Sequence, residues 1–394
     1  MATNLSQLKT IYRKSNKKFF PESIQLSLEK ESDLRYGENP HQAAALYHPQ
    51  NIINTTNPIV DIKLLKSGKE GLSSTNLMDL TRAFDILKYF KKTSVIVMKH
   101  ANPSGFATQT SNEDLVALYA SARDADSRSA FGSIVVFNTI VNKATAEEIV
   151  RSFIEVVAAP EFEEGAIEIL QTKKDLRIII FSGLESLPKF VGDDTHELFD
   201  LKMLPSGRVI VQEPYLTHIR SSEDLVFDSS VTKTDNQNIS HEHTVARKPT
   251  ENEIQDLLTA WYVAMGVRSN AVIFVKNGLT VSIGTGQTER VGAVEYAIIK
   301  AYQKAMDREG IPYGSIVGNG ICMRDQLSHN PLEGAVCASD GFFPFRDSVD
   351  LMAQHGVTAI IQPGGSVNDH QVIDAVNERN MAMVITSERC FAHF

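Results

Sequence analysis

A chain of 394 residues is long enough for two domains that each bury a core, which excludes a small scaffold held together by disulfides. Hydrophobic residues make up 42% and charged residues 22%, the balance of an ordinary globular protein rather than a disordered or fibrous one. With 39 Lys and Arg against 48 Asp and Glu the net charge is −9, which argues against nucleic acid as the main partner, because phosphate binding draws on an excess of cations.

Residues 1–33 read as a polar, helix-compatible N-terminal extension leading to a turn cluster from Gly37 to Pro40. The extension has no apolar signal core, and no run in the chain approaches the ~18 apolar residues of a membrane span, so neither secretion nor a membrane is expected. A helical period follows at 76–90, carried by Leu77, Leu80, Phe84, Leu87 and Phe90. Then come a β-branched strand at 94–98, a helix at 115–122, a strand at 133–137, a helix at 144–157 and a strand at 176–181. Apolar strands separated by helices predict an α/β fold with the sheet covered on both faces. Residues 221–250 are polar and end in Lys248-Pro249, which predicts a connection between a first subdomain at 34–220 and a second at 251–394. The second contains a helix at 252–265 with an Asn cap, and strands at 271–275 and 280–283 joined by a hairpin at 276–279. Helices at 291–308, 347–355 and 369–379 and strands at 359–362 and 382–386 complete it. The segment SVIVMKH at 94–100 parallels NAVIFVKN at 270–277, pointing to two related α/β/α units.

Cys322, Cys337 and Cys390 show no C-x-x-C spacing, so neither a disulfide framework nor a zinc knuckle is expected, and a reducing compartment, by default the cytoplasm, is. The strongest chemical feature is KHANPSG at 99–105, where an apolar strand ends and a Pro and Gly turn is expected to begin. The carboxyl ends of α/β strands are where ligands bind, and a His that titrates near neutrality beside a Lys suits acid/base work on a developing anion. A surface Lys and a turn-capping His is an equally good reading of the motif by itself. Arg35-Tyr36 is a phosphate or base-stacking element by type, although most such arginines form surface ion pairs. SAFG at 129–132, IGTGQTER at 283–290 and QPGGS at 362–366 are Gly-containing loops whose amides could face an anion; simple turns are commoner. Arg389 and His393 lie where chain ends usually fray.

In this order LRYGENPHQ, KHANPSG, SAFG, RKPTENEI, RSNAV, IGTGQTER, DGFFPFRDSVD, AIIQPGGSVND and the ending SERCFAHF resemble the transformylase portion of the bifunctional AICAR transformylase/IMP cyclohydrolase family, from about Leu34 to the end. The resemblance implies two cytidine-deaminase-like α/β/α subdomains and a stand-alone transformylase, since no counterpart of the family's cyclohydrolase domain is seen. A zinc deaminase, the rival on fold grounds, lacks its H-x-E and P-C-x-x-C ligand elements here. The implied reaction moves a formyl group from 10-formyltetrahydrofolate to the 5-amino group of AICAR (aminoimidazolecarboxamide ribonucleotide), in purine biosynthesis. Carried over residue by residue, the resemblance makes Lys99, His100, Asn270 and His393 catalytic. It gives AICAR to Arg35, Tyr36, His100, Gly132, Glu155, Asn270, Arg290, Phe342 and Arg389, and folate to Val291, Asp347, Ser366 and Val367. No catalytic metal is implied, and there is room for a structural monovalent cation such as potassium. A homodimer with shared active sites and a separate cyclohydrolase acting on the product are the implied partners. The alternative is a non-catalytic nucleotide-binding relative.

Overall fold

The β-branched run at Ser94–Lys99 and its counterpart at Val272–Lys276 lie near the middle of one eleven-stranded mixed sheet, and the other elements are arranged around them. The computed structural model describes residues 3–5, 20–50, 60–195, 198–312 and 323–394. In chain order the first half comprises β1 (Thr3–Asn4), the hairpin β2 (Leu28–Leu34) and β3 (Ala44–Pro49), β4 (Asp61–Lys66), α1 (Ser74–Leu87), β5 (Ser94–Lys99) and β6 (Asn102–Thr108). It continues with α2 (Leu115–Asp124), α3 (Ser127–Ala130), β7 (Ser133–Phe137), α4 (Lys143–Ile149), β8 (Ile154–Ala159), α5 (Ala166–Gln171) and β9 (Arg177–Ser182). Two hairpins follow, β10 (Asp200–Met203) with β11 (Val209–Gln212) and β12 (Ser229–Thr234) with β13 (Ser240–Thr244). The second half is α6 (Glu251–Ala264), β14 (Val272–Lys276), β15 (Leu279–Gly284), α7 (Arg290–Glu309), β16 (Val336–Ser339), α8 (Asp347–Gln354), β17 (Ala359–Gln362), α9 (Asp369–Glu378) and β18 (Ala382–Ile385).

The sheet order is β18-β17-β16-β14-β15-β6-β5-β7-β8-β9-β4. From its centre outward each half repeats one plan: a hairpin, an antiparallel third strand, then two parallel strands reached through helices. The halves are fused where β6 meets β15, through the Leu279 and Ala107 pair and the Thr108 amide donating to the Gly278 carbonyl at 3.0 Å. Helices α1 and α6 pack on one face around Leu80, Phe84, Leu257 and the fully buried Trp261. On the other face α2, α4 and α5 cover the first half, and α7, α8 and α9 the second. Two-sided covering makes these strands uniformly apolar rather than alternating.

Five expectations are corrected. The helix expected at 144–157 stops at Ile149, and Ile154–Ala159 is strand β8; the apolar spacing there suits a helix, but Val156 to Ala159 are all fully buried in the sheet. The cap of α6 is Thr250 rather than an Asn, because Thr250 and Glu253 close a reciprocal capping box. No loop begins at Pro103: β6 starts at Asn102, and Pro103 is accommodated beside a register shift that leaves Ser104 of β6 without a partner in the ladder. Residues 221–250 are not a bare connection, since β12 and β13 pair with each other and pack on α9. Of the expected N-terminal extension, much of 1–33 lies outside the described residues, while Leu28–Leu34 is strand β2.

Arg247 fastens the end of that segment to the second half. Its guanidinium makes two parallel bonds to Glu253 at 2.8 and 2.9 Å, and its Nε donates to the Asn380 carbonyl at 2.9 Å. Burial raises the Glu253 carboxyl, but the Arg247 guanidinium and the Thr250 amide outweigh burial and hold it at about 2. A depressed carboxylate contributes stability above its unfolded value and loses it as pH falls toward the folded one. The protein is therefore expected to lose this contribution between about pH 4.5 and pH 2. Urea unfolding of Glu253→Gln should show a flatter pH dependence across that window; an unchanged slope would remove the pair from the acid response.

Candidate functional site

Strand directions place the predicted site residues along a single edge of the sheet. β5 ends there at Lys99 while β7, β8 and β9 begin there; β14 begins there while β15, β16, β17 and β18 end there. Two clusters form on that edge. The first spans β5, β7 and β8, the second β14, β16 and β18, and five strand spacings of ~4.8 Å put their centres about 24 Å apart.

The first cluster grows from the β5–β6 hairpin. Its turn residues His100 and Ala101 both have positive φ, 53° and 59°, which matches the twist of a two-residue hairpin but disfavours residues bearing a Cβ. His100 is exposed at the tip. Lys99 Nζ donates to the carbonyls of Gly132 at 2.6 Å and Phe131 at 3.1 Å, so two of its three donors are engaged and the third is directed by them. Gly132, at φ 68°, is needed for this approach: a Cβ there would lie 3.2 Å from Lys99 Nζ and 3.6 Å from Glu155 Oε1. Glu155 stands at the start of β8 and accepts from Asn76 Nδ2 at 3.2 Å. Arg35 follows β2, with its guanidinium 4.9 Å from the Tyr36 ring, and the Tyr36 carbonyl accepts from the Ser74 amide, which brings both residues to the start of α1. Of the predicted residues, Arg35, Tyr36, Lys99, His100, Gly132 and Glu155 therefore come together.

The second cluster centres on a buried ion pair. Arg290, 8% exposed, contacts the wholly buried Asp340 and also donates to Ser339 Oγ at 3.0 Å and to Asn270 Oδ1 at 2.6 Å. Asn270 Nδ2 in turn donates to the Gln287 carbonyl at 2.9 Å, so both ends of its amide are held and one N–H remains for a ligand. Gly341 is required beside Arg290, since a Cβ would meet Nη2 at 2.6 Å and the Phe391 ring at 2.7 Å. The C-terminal tail is pinned rather than frayed. The Ser269 amide donates to the Ala392 carbonyl at 3.0 Å, the Cys390 amide to the Asp340 carbonyl at 3.1 Å, and Lys202 Nζ to the His393 carbonyl at 2.7 Å. Arg389 lies over Phe391 at 4.7 Å, and Phe394 under Arg82 at 4.0 Å. Asn270, Arg290, Arg389 and His393 thus belong to this cluster, with exposed Phe342 on the loop after β16.

Next to it, Asn368 Nδ2 donates to the Pro344 carbonyl at 2.9 Å and joins the Gly364-Gly365 loop to the start of α8. That contact brings Ser366 and the 61% exposed Val367 toward exposed Asp347 at the start of α8, with the exposed rings of Phe342 and Phe345 on the loop that leads into it. Val291 is half-buried at the start of α7. Between the clusters, Asn102 Oδ1 accepts from the Arg268 amide at 3.1 Å and from Thr285 Oγ1 at 2.9 Å, a polar link between the halves.

Asn76, Asp79 and Arg177 escaped the sequence reading. Asn76 and Asp79 are buried on the core-facing stripe of α1 beside Leu80, Ala83 and Leu87, and two polar residues three apart on that stripe were the available signal. Arg177 is 3% exposed and donates to the carbonyls of Gly71 and Lys69 at 2.9 and 2.8 Å, holding the loop next to Arg35; burial lowers its pKa, against the opposing pull of Glu155. Among the described residues, no group of three His, Cys, Asp or Glu side chains is arranged to hold a metal ion, and no helix is long and apolar enough to cross a membrane.

Two matched α/β halves in one sheet, with a Lys-His hairpin tip at one edge and an Arg-Asn-Asp cluster further along it, define a duplicated α/β protein with an edge-mounted polar site. The family model described as the AICARFT/IMPCHase bienzyme matches residues 3–300, and the chain belongs to that family. Its relatives include the bifunctional purine biosynthesis protein PurH of Magnetococcus marinus, 39% identical over 95% of this chain, and that of Caldicellulosiruptor saccharolyticus, 37% identical over 95%. That of Buchnera aphidicola is 36% identical over 98% of the chain. The chain spans 62–63% of the length of these relatives.

Proposed function

We propose that the chain is an AICAR formyltransferase of purine biosynthesis, using 10-formyltetrahydrofolate as formyl donor. The observation that carries this reading is the Lys99-His100 hairpin tip beside Arg35, Tyr36 and Glu155, in a chain of this family. The 5-amino group of AICAR is a weak nucleophile because its lone pair is delocalised into the ring, so its attack on the formyl carbon has to be coupled to proton removal, the task of His100. The new C–N bond leaves an oxyanion on the former carbonyl oxygen, which the directed Lys99 donor stabilises. Collapse breaks the bond to N10 of the folate, which departs with a proton as tetrahydrofolate. Arg35 and Arg389 suit the phosphate, and Asp347 at the start of α8, with Ser366 and Val367 on the loop after β17, suits the folate. The repeated strand order of the halves supports the cytidine-deaminase-like reading of each.

One nucleotide does not reach both clusters of a single chain across about 24 Å of sheet edge. A homodimer in which one copy supplies the His100 cluster and the other the Asn270 cluster resolves this, and mixing inactive His100→Ala with inactive Asn270→Ala chains is expected to restore part of the activity. The primary experiment incubates the chain with AICAR and 10-formyltetrahydrofolate and follows tetrahydrofolate by absorbance and the nucleotides by chromatography. Formyl-AICAR is expected, with no IMP, ring closure being assigned to a separate cyclohydrolase. AICAR binding without turnover would instead favour a non-catalytic nucleotide-binding protein.

A further inference from the structure

The internal repeat carries a device that the chemistry uses in only one half. In α1 the N-cap is Ser73 and Asp79 lies six residues on; in α6 the N-cap is Thr250 and Asp256 lies six residues on. Each aspartate is buried, 5% and 7% exposed, and reaches the hairpin of its own half. Asp256 accepts from the Asn277 and Gly278 amides, both at 2.7 Å, and Asp79 accepts from the Ala101 amide, with the His100 amide also bonded to it. Both turns are left-handed, at φ 52° and 74° for Asn277 and Gly278 and 53° and 59° for His100 and Ala101. The lysine before each turn is tied in the same way, Lys276 Nζ to the Glu333 carbonyl at 2.7 Å and Lys99 Nζ to that of Gly132 at 2.6 Å.

The two turns differ in what they need. Asn-Gly adopts this conformation readily, whereas His-Ala resists it because of the Cβ atoms. The clamp is therefore a reinforcement at Asn277-Gly278 and a requirement at His100-Ala101. Burial pushes both aspartates above the usual carboxylate value, and in each case the turn amides and the neighbouring lysine oppose the shift.

We propose that Asp79 is a positioning residue for the reaction: its carboxylate holds the His100-Ala101 turn in the left-handed conformation that presents the imidazole at the sheet edge. The inference rests on the reading of His100 as the proton acceptor. Asp79→Asn is expected to lower kcat roughly 10- to 100-fold, the cost of a misplaced reacting group, and to change KM for AICAR by less than about threefold. Adding Ala101→Gly should restore about fivefold or more of the lost kcat, because glycine takes positive φ without a Cβ clash. Asp256→Asn, the matched change in the other half, should lower Tm while kcat stays within about twofold of the parent. If Asp79→Asn does not accumulate folded, Asp79→Ser takes its place, with the same loss and the same rescue expected. Normal kcat in the folded Asp79 variant, an equal loss from Asp256→Asn, or no recovery with Ala101→Gly would each overturn the proposal. His100→Ala is measured alongside: retention of kcat there defeats the reading of His100 itself, whereas its loss together with a normal Asp79 variant defeats only the positioning role.

Discussion

On the proposed formyl transfer, His100→Ala is expected to lower kcat by roughly 10²-fold or more while the affinity for AICAR changes far less. In the proposed reaction the amine's own N–H proton becomes acidic only as the new C–N bond puts positive charge on the nitrogen, so a base acts on the transition state and contributes little to ground-state binding. His100 is exposed at the hairpin tip, and among the described residues the hydrogen bonds of the turn are made by backbone atoms and by Asp79 and Asn102. On the same proposal Lys99→Ala should give a loss of similar size, since its amine is aimed by the Phe131 and Gly132 carbonyls and its charge would act on the oxyanion. Initial rates from tetrahydrofolate absorbance, with AICAR affinity measured separately by calorimetry, check both. Near-normal kcat in folded His100→Ala would sink the assignment.

The largest expected effect on stability is at Asp340. Asp340 is fully buried and faces Arg290, itself 8% exposed, and it also accepts from Ser269 Oγ. Removing one member of a buried pair leaves the other charged and unsolvated, so Asp340→Ala is expected to cost about 3–5 kcal/mol. Arg290 would keep Ser339 and Asn270 as neutral partners, which do not balance its charge. The same change should loosen the second cluster, because the Asp340 backbone also holds the tail through the Cys390 amide. Urea unfolding measures the cost, and a loss below about 1 kcal/mol would mean that the site relaxes or admits water. Replacing both partners by apolar residues, Arg290→Met with Asp340→Leu, should be much less destabilising than Asp340→Ala alone, though it removes the guanidinium that orients Asn270.

Much of the secondary structure was legible because it is dictated locally. The runs at 94–98, 133–137 and 359–362 are short, apolar and strand-bound whichever neighbours they meet, and the long period at 291–308 leaves one apolar stripe that only a helix aligns. The repeat was audible in SVIVMKH and NAVIFVKN, because both halves bury the same hairpin. Local pattern failed where two periods compete. In 144–157 the apolar spacing fits a helix, and only the place reserved between β7 and β9 makes Ile154–Ala159 a strand and sets Glu155 at the edge.

The sequence by itself determined the α/β class, the acidic character and the residue types that chemistry would use, since composition and period depend on the chain alone. Tertiary structure decided which of those residues meet. The hydrogen-bond senses of β5, β7, β14 and β16 bring Lys99, Glu155, Asn270 and Asp340 to one edge while keeping them in two clusters, and no spacing along the chain encodes which way a strand runs. Burial then assigned the roles. Charged residues are mostly exposed, and it is the absence of water around Arg290 and Asp79 that makes one the axis of a cluster and the other the clamp of a turn.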